Sequence, residues 1–300
     1  MINEKFLSAV SETGAQCDLN SLMKDHTTFR IGGPADYFIT VSNIEQLKKV
    51  IAICKESEIP FMLIGNGSNL LVDDNGLRMA VIRLSGDFKE ITHSENKVTC
   101  GAGATLARLC TYSMQNSLAG LEFAFGIPGT VGGAVYMNAG AYGGEMKDVL
   151  LTVTHMTSDG VIETVSADTL DLGYRHSIYK NNGCVILSAE FSLEEGNKDE
   201  IKALMDDIMN RRVTKQPLEY PSAGSVFKRP EGAFAGALIE QCGLKGATVG
   251  GAQVSEKHSG FIINIGGATC EDVCALVEKV QKIVKEETGF TLEREIIRLS

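Results

Sequence analysis

The chain has 300 residues, is 44% hydrophobic and carries a formal net charge of −10 at pH 7. This size and apolar content support two or three domains, each with a core of its own. The acidic balance argues against a nucleic-acid-binding protein, because neutralising phosphates requires a basic face. The eight cysteines include no Cys-x-x-Cys pair, so we expect no metal site. Cys270 and Cys274 lie one helical turn apart and are better explained as buried small side chains than as half of such a site.

The predicted elements mix helices and strands in an order that indicates an α+β protein. The first helix begins with Asn43 and Gln46 at the spacing of a capping box. The dipeptide Asp159-Gly160 predicts a hairpin, and a new domain is expected to start near Asp199. In chain order, the further predictions are strands at 61–64, 70–72, 79–84 and 98–101, a helix at 105–116, strands at 149–157, 161–165 and 184–193, a helix from 199, a helix at 233–242, a strand at 260–264, a helix at 270–288 and a closing strand at 291–299.

The most informative segment is 123–144, whose 22 residues contain seven glycines and no charged side chain. Bare backbone lets a ligand approach closely, and successive N–H groups form concave nests for anions, so a cradle for a cofactor diphosphate is favoured. A second glycine-rich loop, Gly65–Asn69, follows the predicted strand 61–64, and ligands commonly bind at strand ends. Taken alone, either loop is equally compatible with a tight surface turn.

A membrane span is the other interpretation of residues 123–144, since the length matches a bilayer. Seven glycines, together with Pro128 and Asn138, make a poor helix, and no Lys/Arg cluster flanks the segment. The chain starts with the polar residues Met1–Lys5, which do not fit a signal peptide. We therefore expect a cytoplasmic protein without membrane insertion.

A local group of basic residues stands out from this acidic chain. Between residues 211 and 229 they outnumber the single acid Glu219, so the group suits a small polyanion, although a solvated helix end followed by a loop would explain it equally well. The basic residues are Arg211, Arg212, Lys215, Lys228 and Arg229.

Three polar residues have apolar or small neighbours, namely Arg175, Ser225 and Glu295. A surface cation, a turn hydroxyl and an exposed strand position are the plain alternatives. Strand alternation places Glu295 on the side of Ile297 and Leu299, where a carboxylate needs a partner. A serine hydrolase is disfavoured because Ser225 lacks the Gly-x-Ser-x-Gly pattern. Redox chemistry would require a bound organic cofactor, which the two glycine loops make plausible.

Six segments in this order resemble the UDP-N-acetylenolpyruvoylglucosamine reductases (MurB) of bacterial peptidoglycan synthesis. The likeness spans nearly the whole chain, and the lack of room for an extra loop after the hairpin resembles the compact second type of these enzymes. The segments are Thr28–Gly33, Gly65–Asn69, Gly126–Ala134, the pattern Tyr174-Arg175-x-Ser177, Ala223–Lys228 and Leu292–Ile296.

This resemblance implies a two-lobed FAD-binding region of the vanillyl-alcohol-oxidase/PCMH type followed by a C-terminal α+β substrate-binding domain. The implied ranges are 1–82 and 83–195 for the lobes, the first completed by residues 290–300, and 196–289 for the substrate domain. The implied cofactor is non-covalent FAD, since the glycine loops carry no attachment histidine or cysteine. NADPH is the implied hydride donor, the implied substrate is UDP-N-acetylglucosamine enolpyruvate, and a monomer is expected.

The resemblance also implies roles for individual residues. Arg175 stabilises charge at the substrate carboxylate, Ser225 donates a proton, and Glu295 positions the carboxylate end, either protonated or through a shared proton network. Relatives with asparagine in place of Thr27 and Arg229 leave contacts at these two positions open. The cofactor-binding residues implied are Gly65, Asn66, Gly67, Ser68, Asn69, Gly126, Ile127, Pro128, Gly129, Thr130, Gly132, Gly133, Ala134, Asn138, Gly140 and Ala141, and the substrate-binding residues are Tyr174, Arg212, Lys215, Lys228 and His258.

Two other functions stay open at this point. A flavin oxidase of the same fold would return its electrons to oxygen, and a non-catalytic nucleotide-sugar binding module would carry no flavin. The visible spectrum of the purified protein distinguishes the second of these from an enzyme.

Overall fold

The computed structural model describes residues 3–300, so the first two residues of the polar start Met1–Lys5 lie outside the described part. The helix predicted from Asn43 is present, and the Asn43 side chain accepts a hydrogen bond from the Gln46 backbone N–H. The α-helices are α1 (Glu4–Glu12), α2 (Ile44–Glu56), α3 (Leu106–Gln115), α4 (Val131–Tyr136), α5 (Lys198–Lys215), α6 (Ala235–Gln241) and α7 (Cys270–Thr288).

The strands are mostly short, and the longest of them have eight residues. They are β1 (Gln16–Leu22), β2 (Pro34–Val41), β3 (Phe61–Ile64), β4 (Leu70–Val72), β5 (Leu77–Leu84), β6 (Ile91–Ser94), β7 (Lys97–Gly101), β8 (Leu118–Ala119), β9 (Gly140–Ala141), β10 (Gly144–Glu145), β11 (Leu150–Met156), β12 (Ile162–Ser166), β13 (Val185–Ser192), β14 (Glu194–Glu195), β15 (Ser222–Ser225), β16 (Thr248–Val249), β17 (Ala252–Val254), β18 (Phe261–Asn264) and β19 (Ile297–Leu299).

The chain forms two compact units, each assembled from separate stretches of sequence. The passage from one unit to the other falls within β1, β2, β5 and α5 and within the loop after β3. Unit 1 consists of Met1–Asp18, Tyr37–Asn66 and Met79–Asn210, and unit 2 consists of Leu19–Asp36, Gly67–Arg78 and Arg211–Ser300.

Unit 1 contains a five-stranded antiparallel sheet in the order β12-β11-β13-β7-β6. The predicted hairpin at Asp159-Gly160 joins β11 to β12, and Gly160 has a φ of +83°, which favours glycine. The α4 helix, which lies inside the glycine-rich segment and was not predicted, contributes Val131 and Val135 to the core of this unit.

Unit 2 contains a four-stranded antiparallel sheet in the order β15-β18-β17-β16, with α7 contributing one apolar face to its core. The predicted helix at 270–288 has the bounds of α7. The predicted closing strand is shorter than expected, because only β19 forms a ladder, pairing parallel with β4. Residues 293–295 pair instead with residues 226–228.

All eight cysteines are thiols, and burial raises the pKa of Cys54, Cys100 and Cys270 to about 12. Within residues 3–300, no group of three or more His, Cys, Asp or Glu side chains is placed to hold a metal ion. The helices of the described residues include none whose length and apolar character would let it span a bilayer.

Candidate active site

Gly65 and Asn66, which begin the first glycine loop, meet the second glycine loop within unit 1. The Asn66 side chain donates a hydrogen bond from Nδ2 to the Pro128 carbonyl at 3.1 Å. A Cβ atom placed on Gly65 would lie 2.4 Å from Oγ1 of Thr130, so glycine is required for this approach. Thr130 Oγ1 in turn accepts the Gly133 N–H at 3.3 Å and caps the first turn of α4. The structure therefore joins loops that lie about sixty residues apart in the sequence.

Several backbone amides of these loops are available to an anion. Among the hydrogen bonds of the described residues, the amides of Gly65, Asn66, Gly129 and Thr130 have no acceptor in the protein. Unpaired N–H groups on a concave turn are the donors that a diphosphate requires. The residues present at these positions therefore fit a bound dinucleotide such as FAD.

The amides that follow Thr130 are already bonded within unit 1. Val131 and Gly132 donate to the carbonyls of Ala104 and Ala102 at 2.8 and 2.9 Å, and Ala134 donates to the Thr130 carbonyl at 2.8 Å. With the Gly133 amide on Thr130 Oγ1, the amides of Gly132, Gly133 and Ala134 all have acceptors within unit 1. Contact between these residues and the cofactor through other atoms stays a prediction.

Asn138 also has a role that the sequence did not indicate. Its side chain is fully buried, donates from Nδ2 to Glu145 Oε2 at 2.8 Å and to the Gly173 carbonyl at 2.9 Å, and accepts the Lys147 N–H at 2.9 Å. The polar atoms of this side chain are thus used inside the protein, and the Asn138 N–H donates to the Val135 carbonyl at 3.1 Å. The cofactor contact of Asn138 stays a prediction.

Arg175 lies at the tip of a tight turn in unit 1. Gly173 and His176 exchange two backbone hydrogen bonds, with N···O distances of 3.2 and 3.1 Å, and Tyr174 and Arg175 form the connection. Arg175 has a φ of +54°, and its Nη2 donates to the Gly140 carbonyl at 3.4 Å. The guanidinium stacks on the exposed ring of Tyr174, 5.1 Å from the centroid. This predicted cation is therefore held beside β9, in the second half of the glycine-rich segment.

Ser225 and Glu295 lie on adjoining segments of unit 2. The Val226 N–H donates to the Gly260 carbonyl at 2.9 Å, and the Glu295 N–H donates to the Val226 carbonyl at 2.8 Å. The Glu295 carbonyl accepts Nδ2 of Asn69 at 3.2 Å. Ser225 and Glu295 are both half-buried, so the structure brings these two predicted catalytic residues into one neighbourhood together with the end of the first glycine loop.

The predicted substrate-binding residues of unit 2 differ in their surroundings. Lys228 forms an ion pair with Glu293, with Nζ 3.0 Å from Oε2. His258 accepts the Gly260 N–H on Nδ1 at 3.1 Å, and burial lowers the pKa of its imidazole. Lys215 is exposed at the end of α5, whereas Arg212 is 5% exposed.

Two features of the site were visible in the sequence but were not used. Arg212 follows the buried residues Ile201, Met205 and Ile208 at helical spacing, which places it on the buried face of α5. Ser177 belongs to the pattern that contains Arg175 but was given no role, although its hydroxyl donates to the Tyr136 carbonyl at 2.7 Å.

Comparison with known proteins agrees with this geometry. The sequence profile of an FAD binding domain matches residues 35–166, and that of the C-terminal domain of UDP-N-acetylenolpyruvoylglucosamine reductase matches residues 216–299. The reductases of Agathobacter rectalis and Clostridium novyi are 50% and 49% identical to the chain. The first match covers 98% of both chains, and the second covers 98% of this chain and 95% of the relative. The crystal structure of the Thermus caldophilus reductase superposes with a TM-score of 0.81 at 39% identity, covering 95% of this chain and 99% of that one.

The FAD-binding profile and the reductase relatives together define an FAD-containing oxidoreductase, and the expected α+β fold with a C-terminal α+β domain is confirmed. Identity near 50% over almost the whole chain fixes the family. The chain belongs to the UDP-N-acetylenolpyruvoylglucosamine reductase family, as its motifs predicted.

Proposed function

We propose that this protein reduces UDP-N-acetylglucosamine enolpyruvate to UDP-N-acetylmuramate with NADPH, a step of peptidoglycan precursor synthesis. The observation that carries the proposal is the 50% identity to the UDP-N-acetylenolpyruvoylglucosamine reductase of Agathobacter rectalis, over 98% of both chains. We propose further that the protein acts in the cytoplasm as a monomer, and that cell wall formation, cell shape and division depend on it.

The amides of Gly65, Asn66, Gly129 and Thr130 would hold the cofactor diphosphate, because within residues 3–300 these donors have no acceptor. FAD held there would supply hydride chemistry, with NADPH as the hydride source and the methylene carbon of the enol ether as the acceptor. The residues of the chain then have two tasks: to stabilise the negative charge that develops next to the substrate carboxylate, and to supply a proton to the carbon that bears it.

Arg175 is suited to the first task. Its guanidinium is always charged and can form two parallel hydrogen bonds with a carboxylate. A cation held in place before the reaction stabilises developing charge without reorganising, and this effect is commonly the largest contribution to catalysis. The hydrogen bond to Gly140 and the contact with Tyr174 restrict the guanidinium of Arg175 in this way.

Ser225 is assigned the second task, as general acid. A hydroxyl is a weak acid, so its transfer of a proton depends on the groups beside it. We assign Glu295, whose N–H donates to the carbonyl of the residue after Ser225, the task of placing the carboxylate end of the substrate and completing the proton network. Lys215, Arg212, Tyr174 and His258 are proposed to bind the nucleotide sugar.

The test of this function begins with the visible spectrum of the purified protein, which should show flavin absorbance. Anaerobic NADPH should bleach it, and the enolpyruvyl nucleotide should restore the absorbance far faster than air does. Rapid recovery in air with no recovery from the nucleotide would assign the protein as an oxidase, and a colourless protein that takes up no added FAD would contradict a flavin enzyme.

A Ser225→Ala variant separates the two half-reactions. Bleaching by NADPH should proceed at the wild-type rate, because that step needs no proton from Ser225. Recovery with the enolpyruvyl nucleotide should slow by about 100-fold or more, in the range measured for loss of a general acid. Stopped-flow absorbance measures both rates, and equal slowing of the two would remove Ser225 from the role of proton donor.

A further inference from the structure

The turn that carries Arg175 does not by itself fix where the guanidinium lies. Two backbone hydrogen bonds between Gly173 and His176 close the turn, and Tyr174 at its tip is 52% exposed. Arg175 adopts a left-handed φ of +54°, which non-glycine residues avoid unless their surroundings impose it. A long side chain on such a turn would sample many directions if the turn were attached only through the chain on either side of it.

The first attachment holds the residue before Tyr174. Nδ2 of Asn138 donates to the Gly173 carbonyl at 2.9 Å. The same nitrogen donates to Glu145 Oε2, and the Asn138 oxygen accepts the Lys147 N–H, so the side-chain amide has a single orientation. Because Asn138 is fully buried, water does not compete for these bonds.

The second attachment holds the residue two positions after Arg175. Ser177 is fully buried, and its hydroxyl donates to the Tyr136 carbonyl at 2.7 Å. The Gly173 carbonyl and the Ser177 hydroxyl are thus fixed on the two sides of the turn by the same short segment, residues 136–138. This segment ends α4, which begins directly after Thr130 in the glycine-rich segment.

We propose that Asn138 and Ser177 are positioning residues that tie the Arg175 turn to the end of α4 and so set the guanidinium at a fixed place relative to the glycine-rich segment. The inference rests on the proposed catalytic role of Arg175. It gives Asn138 a role other than the predicted contact with the cofactor. It also gives Ser177 a role that the sequence did not indicate. A displacement of about 1 Å at a reacting group can cost on the order of 100-fold in rate, so attachments of this kind matter to catalysis.

The test is a double-mutant cycle on the reoxidation half-reaction. Ser177→Ala alone should slow reoxidation by the enolpyruvyl nucleotide by about 10- to 100-fold, with wild-type FAD content and wild-type bleaching by NADPH. Arg175→Ala should slow the same step at least as much. If Ser177 acts through Arg175, adding Ser177→Ala to Arg175→Ala should cause little further loss.

Asn138→Asp is the second variant, because it keeps the size of the side chain and the acceptor for the Lys147 N–H but removes the donor to Gly173. It also removes the donor to Glu145 and places a second carboxylate beside it, so far-UV circular dichroism and FAD content check that the variant is folded. It should behave like Ser177→Ala in both backgrounds. Thr169→Val is the matched control: the Thr169 hydroxyl donates to the Ser166 carbonyl at 2.7 Å on a neighbouring exposed turn. This control should reoxidise at the wild-type rate.

Wild-type reoxidation rates in Ser177→Ala and Asn138→Asp would overturn the inference. So would a further slowing by these substitutions that is as large in the Arg175→Ala background as in the wild type. Loss of flavin from both single variants would also overturn it, because it would assign the attachments to folding. Wild-type reoxidation in Arg175→Ala itself would instead contradict the role of Arg175 in the proposed function. The two failures are therefore distinguishable.

Discussion

At the scale of single residues, the glycines of the site are required by close contacts within the protein itself. A Cβ on Gly65 would meet the Thr130 hydroxyl at 2.4 Å, one on Gly67 the His26 carbonyl at 2.3 Å, and one on Gly132 the Ala102 side chain at 3.0 Å. The sequence suggested that missing side chains leave room for a diphosphate. At these positions neighbouring protein atoms fill the space that a side chain would occupy. The groups available to a ligand are the loop amides that this packing leaves unbonded.

We therefore expect Gly65→Ala to lower the FAD content of the purified protein, because the methyl group would displace Thr130 and with it the first turn of α4. Gly143→Ala is the control, since a Cβ there meets no atom within 4 Å although its φ of +92° is unfavourable to alanine. The ratio of flavin to protein absorbance measures the effect. Full FAD content in Gly65→Ala would show that the contact with Thr130 is not needed for binding.

At the scale of elements, α7 shows how a sequence pattern becomes a stable helix. Thr269 and Asp272 form a reciprocal capping box, and Asp272 Oδ2 also accepts the Gly251 N–H at 3.1 Å. The helix ends at Gly289, whose φ of +78° is the left-handed conformation of a helix C-terminus. These hydrogen bonds lower the pKa of Asp272 below its usual 3.8, with the Thr269 N–H as the main cause.

The stabilisation from Asp272 should depend on pH in a defined direction. Because the pKa of Asp272 is lower in the folded state, its ionised carboxylate stabilises the fold above about pH 3.8. This stabilisation is lost as the pH falls through the pKa of the folded state. Asp272→Asn should therefore reduce the free energy of unfolding at pH 7, and the difference from wild type should shrink as the pH falls below 3.8. Asp272→Ala, which also removes the acceptor for the Thr269 and Gly251 N–H groups, should cost about 1 kcal/mol at pH 7.

Urea unfolding at several pH values measures these changes. Glu271→Gln is the matched control, because it removes the same charge one residue earlier from an exposed side chain. A difference between Asp272→Asn and wild type that stays constant from pH 7 to pH 2 would contradict the account of the capping box.

At the scale of the whole molecule, the two units have separate cores built from discontinuous stretches. Phe29, Ile31 and Leu71 pack with residues from the last third of the chain, although they precede most of unit 1 in sequence. The contiguous ranges predicted as 1–82, 83–195 and 196–289 follow the family resemblance and stay a prediction. Boundaries that fall inside strands carry no signal of a linker, so composition could not reveal them.

Because a ligand that binds only the folded state stabilises it, FAD should raise the melting temperature of flavin-free protein. At about 100 times its Kd the gain is about 2.7 kcal/mol, which corresponds to a shift of a few degrees for a chain of this size. Differential scanning calorimetry measures the shift, with riboflavin, which lacks the diphosphate, as the control. An equal shift with riboflavin would argue against the diphosphate as the group that the loop amides bind.

The sequence by itself determined the helices at α2, α3 and α7, the hairpin at Asp159-Gly160, the two glycine loops and the family motifs. Each of these is encoded by residues within a few positions of one another, through capping, apolar periodicity and turn chemistry. Tertiary structure decided which loop amides stay unbonded, that Arg212 is buried, that Asn138 and Ser177 hold the Arg175 turn, and that residues 293–295 pair with residues 226–228 beside Ser225. These outcomes depend on hydrogen bonds and packing between segments far apart in the chain, which local patterns do not encode.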